Sequence, residues 1–278
     1  MQPRGNQPST LPREHGAWAM LLQPFIGSVI ALKEVNLTVV SALVCVVLAF
    51  LIRSPLLTLA RQKWVWREQR LETRAARLQV LTQLFVMALA AYHLSLHWTQ
   101  SELIGLGALA GALNILAVSM TVHNRQREIW FQAVSSAGLS LSGIAACISL
   151  TGGIPGWAWT WWVLHTAHFW TGIMVVHVQL QARADAKHTP GVASPAFRGL
   201  STSAKVVQGL VALAGLAMMG LGYLYYGAAV LLSAAVHLRE IAAASSRASV
   251  ETPMNTIGWR AVAVSIAFTG LLIAGVWN

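Results

Sequence analysis

The chain of 278 residues is 56% hydrophobic and 10% charged, with a positive mean hydropathy and a formal net charge of +10. A soluble domain carries about 25% charged residues, so the composition excludes an ordinary soluble globule. It also removes the usual reading of a basic excess as a nucleic-acid surface, because a membrane protein gathers such charge in its cytoplasmic loops.

Apolar stretches near 20 residues recur, the length that crosses a hydrocarbon core of roughly 30 Å, and the chain reads as an all-α, polytopic transmembrane bundle. Residues 1–12 (MQPRGNQPSTLP) are polar and proline-bearing. They read as a disordered cytoplasmic arm with no cleavable signal, ahead of one transmembrane domain over 13–278. Apolar runs between polar breaks predict nine helices, near 15–32, 37–60, 77–97, 102–121, 129–151, 157–181, 204–220, 223–243 and 259–277. The seventh and eighth are separated only by the glycine-rich turn Gly220 to Gly227.

Charge placement supports that count. With the N-terminus inside and the C-terminus outside, 18 of the 19 Lys and Arg residues fall on the inner side, leaving Lys33 outside. An eight-helix reading strands Arg239 and Arg247 outside, against the positive-inside rule. Tryptophans agree: Trp98, Trp157, Trp159, Trp161, Trp162 and Trp277 mark an outer belt, and Trp18, Trp64, Trp66, Trp130 and Trp259 an inner one. The expected location is a bacterial cytoplasmic membrane. The inner loop 61–77 (RQKWVWREQRLETRAAR) sets Trp64, Val65, Leu71 and Ala75 against six basic residues. It reads as an interfacial helix drawn to anionic lipid, or as a lid over a cytoplasmic cavity.

Ionisable groups inside a membrane are expensive and are functional candidates for that reason. The fourth, sixth and eighth helices end alike, in V-H-N-R-Q-R-E, V-H-V-Q-L-Q-A-R and V-H-L-R-E. These endings put His123, His177 and His237 at similar depth near the inner face, where a helix C-terminus also favours cations. Arg53 precedes Ser54-Pro55 on the second helix; Asn124, Arg127 and Glu128 cluster after the fourth; Arg183 closes the sixth. His165 and His168 lie one turn apart near the middle of the sixth helix, where with Thr166 and Thr171 they would hydrogen-bond between helices, bind a haem or form part of a proton path. A haem needs a second histidine at matching depth, and His93 lies too near the outer end, so no cofactor is expected. Two cysteines (Cys45 and Cys147, both in apolar runs) and one aspartate (Asp185) leave no disulfide framework, no Cys metal site and no paired-carboxylate magnesium site. The ligand candidates are therefore Arg53, Asn124, Arg127, Glu128, His168, His177 and Arg183, with Glu14 and His15 as catalytic candidates and no metal.

The stretches R-E-H-G-A-W-A-M-L-L-Q-P-F (13–25), L-I-R-S-P-L-L, N-R-Q-R-E and H-F-W-T-G-I-M-V-V together resemble the YwiC-like family of bacterial multi-pass membrane proteins, whose function is unassigned. The positions that match its recurrent motifs are Glu14, His15, Gly16, Trp18, Pro24, Arg53, Pro55, Asn124, Arg127, Glu128 and His168, and the stretch Ile257 to Arg260 is similar as well. A more distant likeness in architecture is to UbiA-type intramembrane prenyltransferases. It implies a shared scaffold and not their chemistry, because R-S-P-L-L-T-L-A-R and V-Q-L-Q-A-R-A-D stand where that class has its magnesium-binding aspartates. The expected function is a cytoplasmic-side polar cavity that holds an anionic or isoprenoid-type lipid ligand. The alternatives are a transporter of a small anion or metabolite, and an accessory subunit with a partner in a membrane complex.

Overall fold

The computed structural model describes residues 15–68, 72–188 and 194–278. The arm 1–12 and Glu14 lie outside the described residues, as does the side chain of His15. Twelve α-helices follow one another: α1 (His15–Leu32), α2 (Leu37–Leu51), α3 (Arg53–Arg61), α4 (Glu72–Ser95), α5 (Gln100–Val122), α6 (Ile129–Ser140), α7 (Ser142–Thr151), α8 (Gly156–His188), α9 (Pro195–Gly220), α10 (Leu224–Ala243), α11 (Arg247–Glu251) and α12 (Met254–Trp277). A π-helical turn, Gln62–Trp66, continues α3. Because α2 and α3 form one rod and α6 and α7 another, and α11 is a loop turn, the described residues form nine rods. They lie where the apolar runs predict them.

Six rods are long and apolar enough to span a membrane: Leu37–Trp66, Glu72–Ser95, Gln100–Val122, Ile129–Thr151, Pro195–Gly220 and Met254–Trp277. The first helix is a shorter apolar one. The helices α8 and α10 do not reach that hydropathy, for a physical reason. They carry His165, His168 and Gln179, and His237 and Glu240, turned into the protein. The chain is a multi-pass helical membrane protein whose outer helices meet lipid and whose α8 is largely enclosed by other helices.

The breaks have local causes. Pro55 has no N–H for the Leu51 carbonyl, so the helix ladder gives way at Ile52 and restarts with Leu56 N bonded to Ile52 O at 3.1 Å. Arg67 ends the rod in the left-handed region, φ +54, which few non-glycine residues adopt. The expected interfacial helix over 61–77 is thus divided. Its first part extends the second rod as the π turn and its last part opens α4, with 69–71 outside the described residues. At Pro24 the ladder of α1 loosens. There the Ser142 hydroxyl donates to Leu21 O at 2.6 Å, and Gly143 lets α7 approach so closely that an added Cβ would lie 3.1 Å from Pro24 O.

Side-chain bonds tie alternate rod ends into two faces. On one, Asn36 Nδ2 donates to Ser149 O, Trp98 Nε1 to Ser149 Oγ and Trp277 Nε1 to Ala31 O, while Lys33 Nζ lies 4.2 Å over the Trp277 ring. The opposite face joins Arg53 to Thr121, His177 to Gln132 and Arg183 to the α11 turn; it is called the basic face below. Three apolar clusters fill the bundle, around Phe25, Val39 and Ile144, around Trp161, Ala229 and Phe268, and around Val178, Ala204 and Ile241. Trp161 is enclosed in the second, so helix packing rather than the lipid interface fixes it.

The charge pattern predicts that the basic face is cytoplasmic. A reporter active only outside the cytoplasm, fused after Asn278, is expected to be active, and the same reporter placed after Ser246 is expected to be silent. The reverse pattern would overturn the orientation.

Candidate functional site

None of the ligand or catalytic candidates singled out from the sequence lines the hollow described below, and those among the described residues have the following surroundings. Arg53 Nη2 donates to Thr121 Oγ1 at 3.2 Å and ties α3 to α5. Trp18 packs edge-on against Phe50, ring centroids 5.0 Å apart, so the start of α1 stands beside the end of α2 one turn before Arg53. Asn124 takes φ +57 after α5, and Arg125 N reaches back to Met120 O at 2.7 Å, a Schellman-type stop. Glu128 is engaged by the Arg125 guanidinium and the Trp130 N–H, which together hold its carboxyl below the usual carboxylate range. Arg127 is exposed but near enough for its charge to act on His177, whose Nε2 lies 2.9 Å from Gln132 Oε1. Arg183 donates from Nη2 to the carbonyls of Ser249 and Thr252. Of the three similar helix endings, His123 bonds its own helix at Ser119 O, His177 meets α6, and His237 turns into the core.

A hollow of about 480 Å³ does open on the basic face, one helix along from Arg53, between the π turn and the first turn and a half of α4. Gln62, Lys63, Arg67, Glu68, Thr73 and Arg77 line it. Three cations and one carboxylate therefore line this space. The wall is fixed from beneath: Thr73 Oγ1 donates to Gln62 Oε1 at 2.5 Å. That bond leaves Gln62 Nε2 buried with no hydrogen-bond partner among the described residues. A buried amide without an acceptor costs about 1–3 kcal/mol. The π turn that delivers Gln62 and Lys63 is a form found mostly at functional positions. Trp64, Val65 and Trp66 stand exposed on the same turn.

Inside the bundle, α8, α10 and α12 share a polar interior. His168 is buried and bonded at both nitrogens, Nδ1 2.7 Å from Ser233 Oγ and Nε2 2.8 Å from Ser265 Oγ. His165, one turn away, lies 3.2 Å from Thr269 Oγ1 and 3.0 Å from Trp161 O. The Phe268 ring stacks on His168 at 4.3 Å. His93 belongs elsewhere, 3.0 Å from Ser41 on α2. His165 and His168 thus hydrogen-bond between helices; Thr166 Oγ1 is buried without a partner among the described residues. No three His, Cys, Asp or Glu side chains come together as metal ligands among the described residues.

Sequence reasoning passed over Gln62, Gln208, Ser233, Ser265 and Thr269. A signal for the last three was present. Ser233 and His237 lie four residues apart on α10, as do Ser265 and Thr269 on α12, so each pair is one polar stripe on an otherwise apolar helix.

Neither the curated proteins nor the solved structures include a match to this chain. A family model described as YwiC-like protein matches residues 11–147. That span carries the opening motif, Arg53, the Asn124–Glu128 turn and the basic hollow, and it ends within α7. The similar stretches at 168–176 and 257–260 lie outside it. Over residues 11–147, just under half of the chain, the sequence is similar to the YwiC-like family.

Proposed function

We propose that this protein binds an anionic, lipid-type ligand at its basic face, in a bacterial cytoplasmic membrane, with the head group in the hollow between the π turn and α4. One observation carries the reading. Lys63, Arg67 and Arg77 line a space that also adjoins the unpartnered amide N–H of Gln62. A phosphate offers several acceptor oxygens to such a set, and arginine's planar fork suits it without a metal. The exposed Trp64, Val65 and Trp66 supply the apolar and aromatic surface that belongs at the boundary between head groups and acyl chains. Arg53 and Arg127, proposed for the same role on the sequence, then contribute to the field of the face rather than to the hollow.

The test is native mass spectrometry of protein extracted in a mild detergent with phosphatidylglycerol and phosphatidylcholine supplied together. The parent is expected to keep phosphatidylglycerol selectively. With each charge-assisted hydrogen bond worth about 1.5–3 kcal/mol, the variant Lys63→Gln, Arg67→Gln, Arg77→Gln is expected to lose that retention by about 100-fold while eluting as a folded protein. Equal retention of both lipids, or selectivity unchanged in the variant, would overturn the proposal.

A further inference from the structure

The polar interior of α8, α10 and α12 is separate from the hollow, and its side chains follow one another along α8. His165 meets Thr269; His168, one turn on, lies between Ser265 and Ser233; Thr171 Oγ1 is 3.4 Å from His237 Nδ1. The His168 and His237 rings stack 5.6 Å apart at 13°. One turn beyond His237 on α10 stands Glu240, holding Gln179 Nε2 at 2.9 Å and Arg260 Nη1 at 3.8 Å on the basic face. From His165 to Gln179 the file covers about 21 Å of helix, roughly two thirds of a hydrocarbon core.

Helix pairing alone asks for hydrogen bonds, and one hydroxyl per helix would supply them. This file has three imidazoles in succession, closed at the basic face by a carboxylate. It also keeps two buried amide oxygens without a donor among the described residues, Gln208 Oε1 beside His237 and Gln179 Oε1 beside Glu240. As drawn, Gln208 Nε2 donates to His237 Nδ1 at 3.0 Å, which suits a neutral ring. When the ring gains a proton at Nδ1, turning the amide over presents the idle Oε1 as its acceptor. Both protonation states of His237 are therefore provided for.

We propose that this file conducts protons between the basic face and the opposite face, with Glu240 at one end and His165 at the other. At His168 the step balances within the ring. A proton arrives at Nε2 from the Ser265 hydroxyl as that hydroxyl takes one from beyond, and the Nδ1 proton passes to Ser233. Ser233 gives its own proton onward as it takes this one, the ring is left neutral in its other tautomer, and reorientation of the ring together with rotation of the hydroxyls restores the starting state. The titratable groups facing His168 are His165 on its own helix and His237 on α10. Ser265 and Phe268 face it from α12 and Ser233 from α10, the Gln208 amide of α9 faces His237, and Arg260 is the cation beside Glu240.

The test uses the full chain in vesicles of phosphatidylcholine and phosphatidylglycerol with a pH-sensitive dye trapped inside. A potassium gradient and valinomycin drive the protons. Proton flux at least tenfold above protein-free vesicles is expected. His237→Phe is expected to reduce it at least tenfold, and so is the pair Ser233→Ala, Ser265→Ala, which keeps all three rings and guards against a ring variant that fails to fold. The Lys63, Arg67, Arg77 variant is expected to retain the flux, so failure here and failure of the lipid reading are distinguishable. Flux no greater than in empty vesicles would overturn the proposal, as would flux undiminished in the serine pair variant melting like the parent.

Discussion

Gly227→Ala is expected to lower stability by about 3 kcal/mol, the upper part of the range for overpacking, and to abolish the native melting transition if the bundle is already marginal. The reason lies in how α9 and α10 cross. A Cβ on Gly227 would sit 2.5 Å from Gly215 O and 2.9 Å from Met219 N, and would also overlap Met219 Cγ. Two of those obstacles are backbone, which a rotamer change cannot clear. Gly215→Ala is the milder partner, its nearest neighbours standing at 3.0–3.1 Å. Gly220→Ala meets nothing within 4 Å and is expected to be neutral or to gain a little helix propensity. Thermal unfolding of the three variants in one detergent checks the order. A Gly227→Ala protein melting with the parent would mean that the helices do not approach so closely.

His168→Leu is the second large effect, expected to cost about 4 kcal/mol. It strands the buried Ser233 and Ser265 hydroxyls, at about 1–3 kcal/mol each, and removes the ring on which Phe268 stacks. The same accounting predicts a rescue. Replacing both partners of a buried hydrogen bond with apolar groups is close to neutral. The triple variant His168→Leu, Ser233→Ala, Ser265→Ala is therefore expected to melt nearer the parent than His168→Leu alone. A triple variant less stable than the single one would show that the ring's shape, not its hydrogen bonds, holds the site.

Those two positions also mark what a one-dimensional reading reaches. The nine rods were legible because apolar length and charge alternation are local properties, written residue by residue. Even the α9–α10 turn was legible, its Gly222 at φ +92. Partners were not. Arg183 looks like a head-group ligand until α11 (Arg247–Glu251) folds back and offers it two carbonyls, and α11 is too short to announce itself by periodicity. Glu128 looked like a cavity wall, yet its neighbour three residues earlier, Arg125, takes it first. His168 was correctly placed deep in the membrane, whereas its two serines come from helices 65 and 97 residues away. The basic hollow depends on a proline break, a π turn and a left-handed arginine acting together, and none of these follows from hydrophobic pattern.

The junction of α12 with α1 has a consequence for biosynthesis. The first helix is packed on one side by α7 and on the other by α12, with Trp277 bonded to the Ala31 carbonyl. A chain inserted from its N-terminus therefore holds α1 without α7 until the fifth rod is made and without α12 until the ninth. Until α7 arrives, the Pro24 break faces lipid or the insertion machinery. Whatever shelters nascent membrane helices has its longest task here at α1, and release of that helix is timed by the arrival of α12.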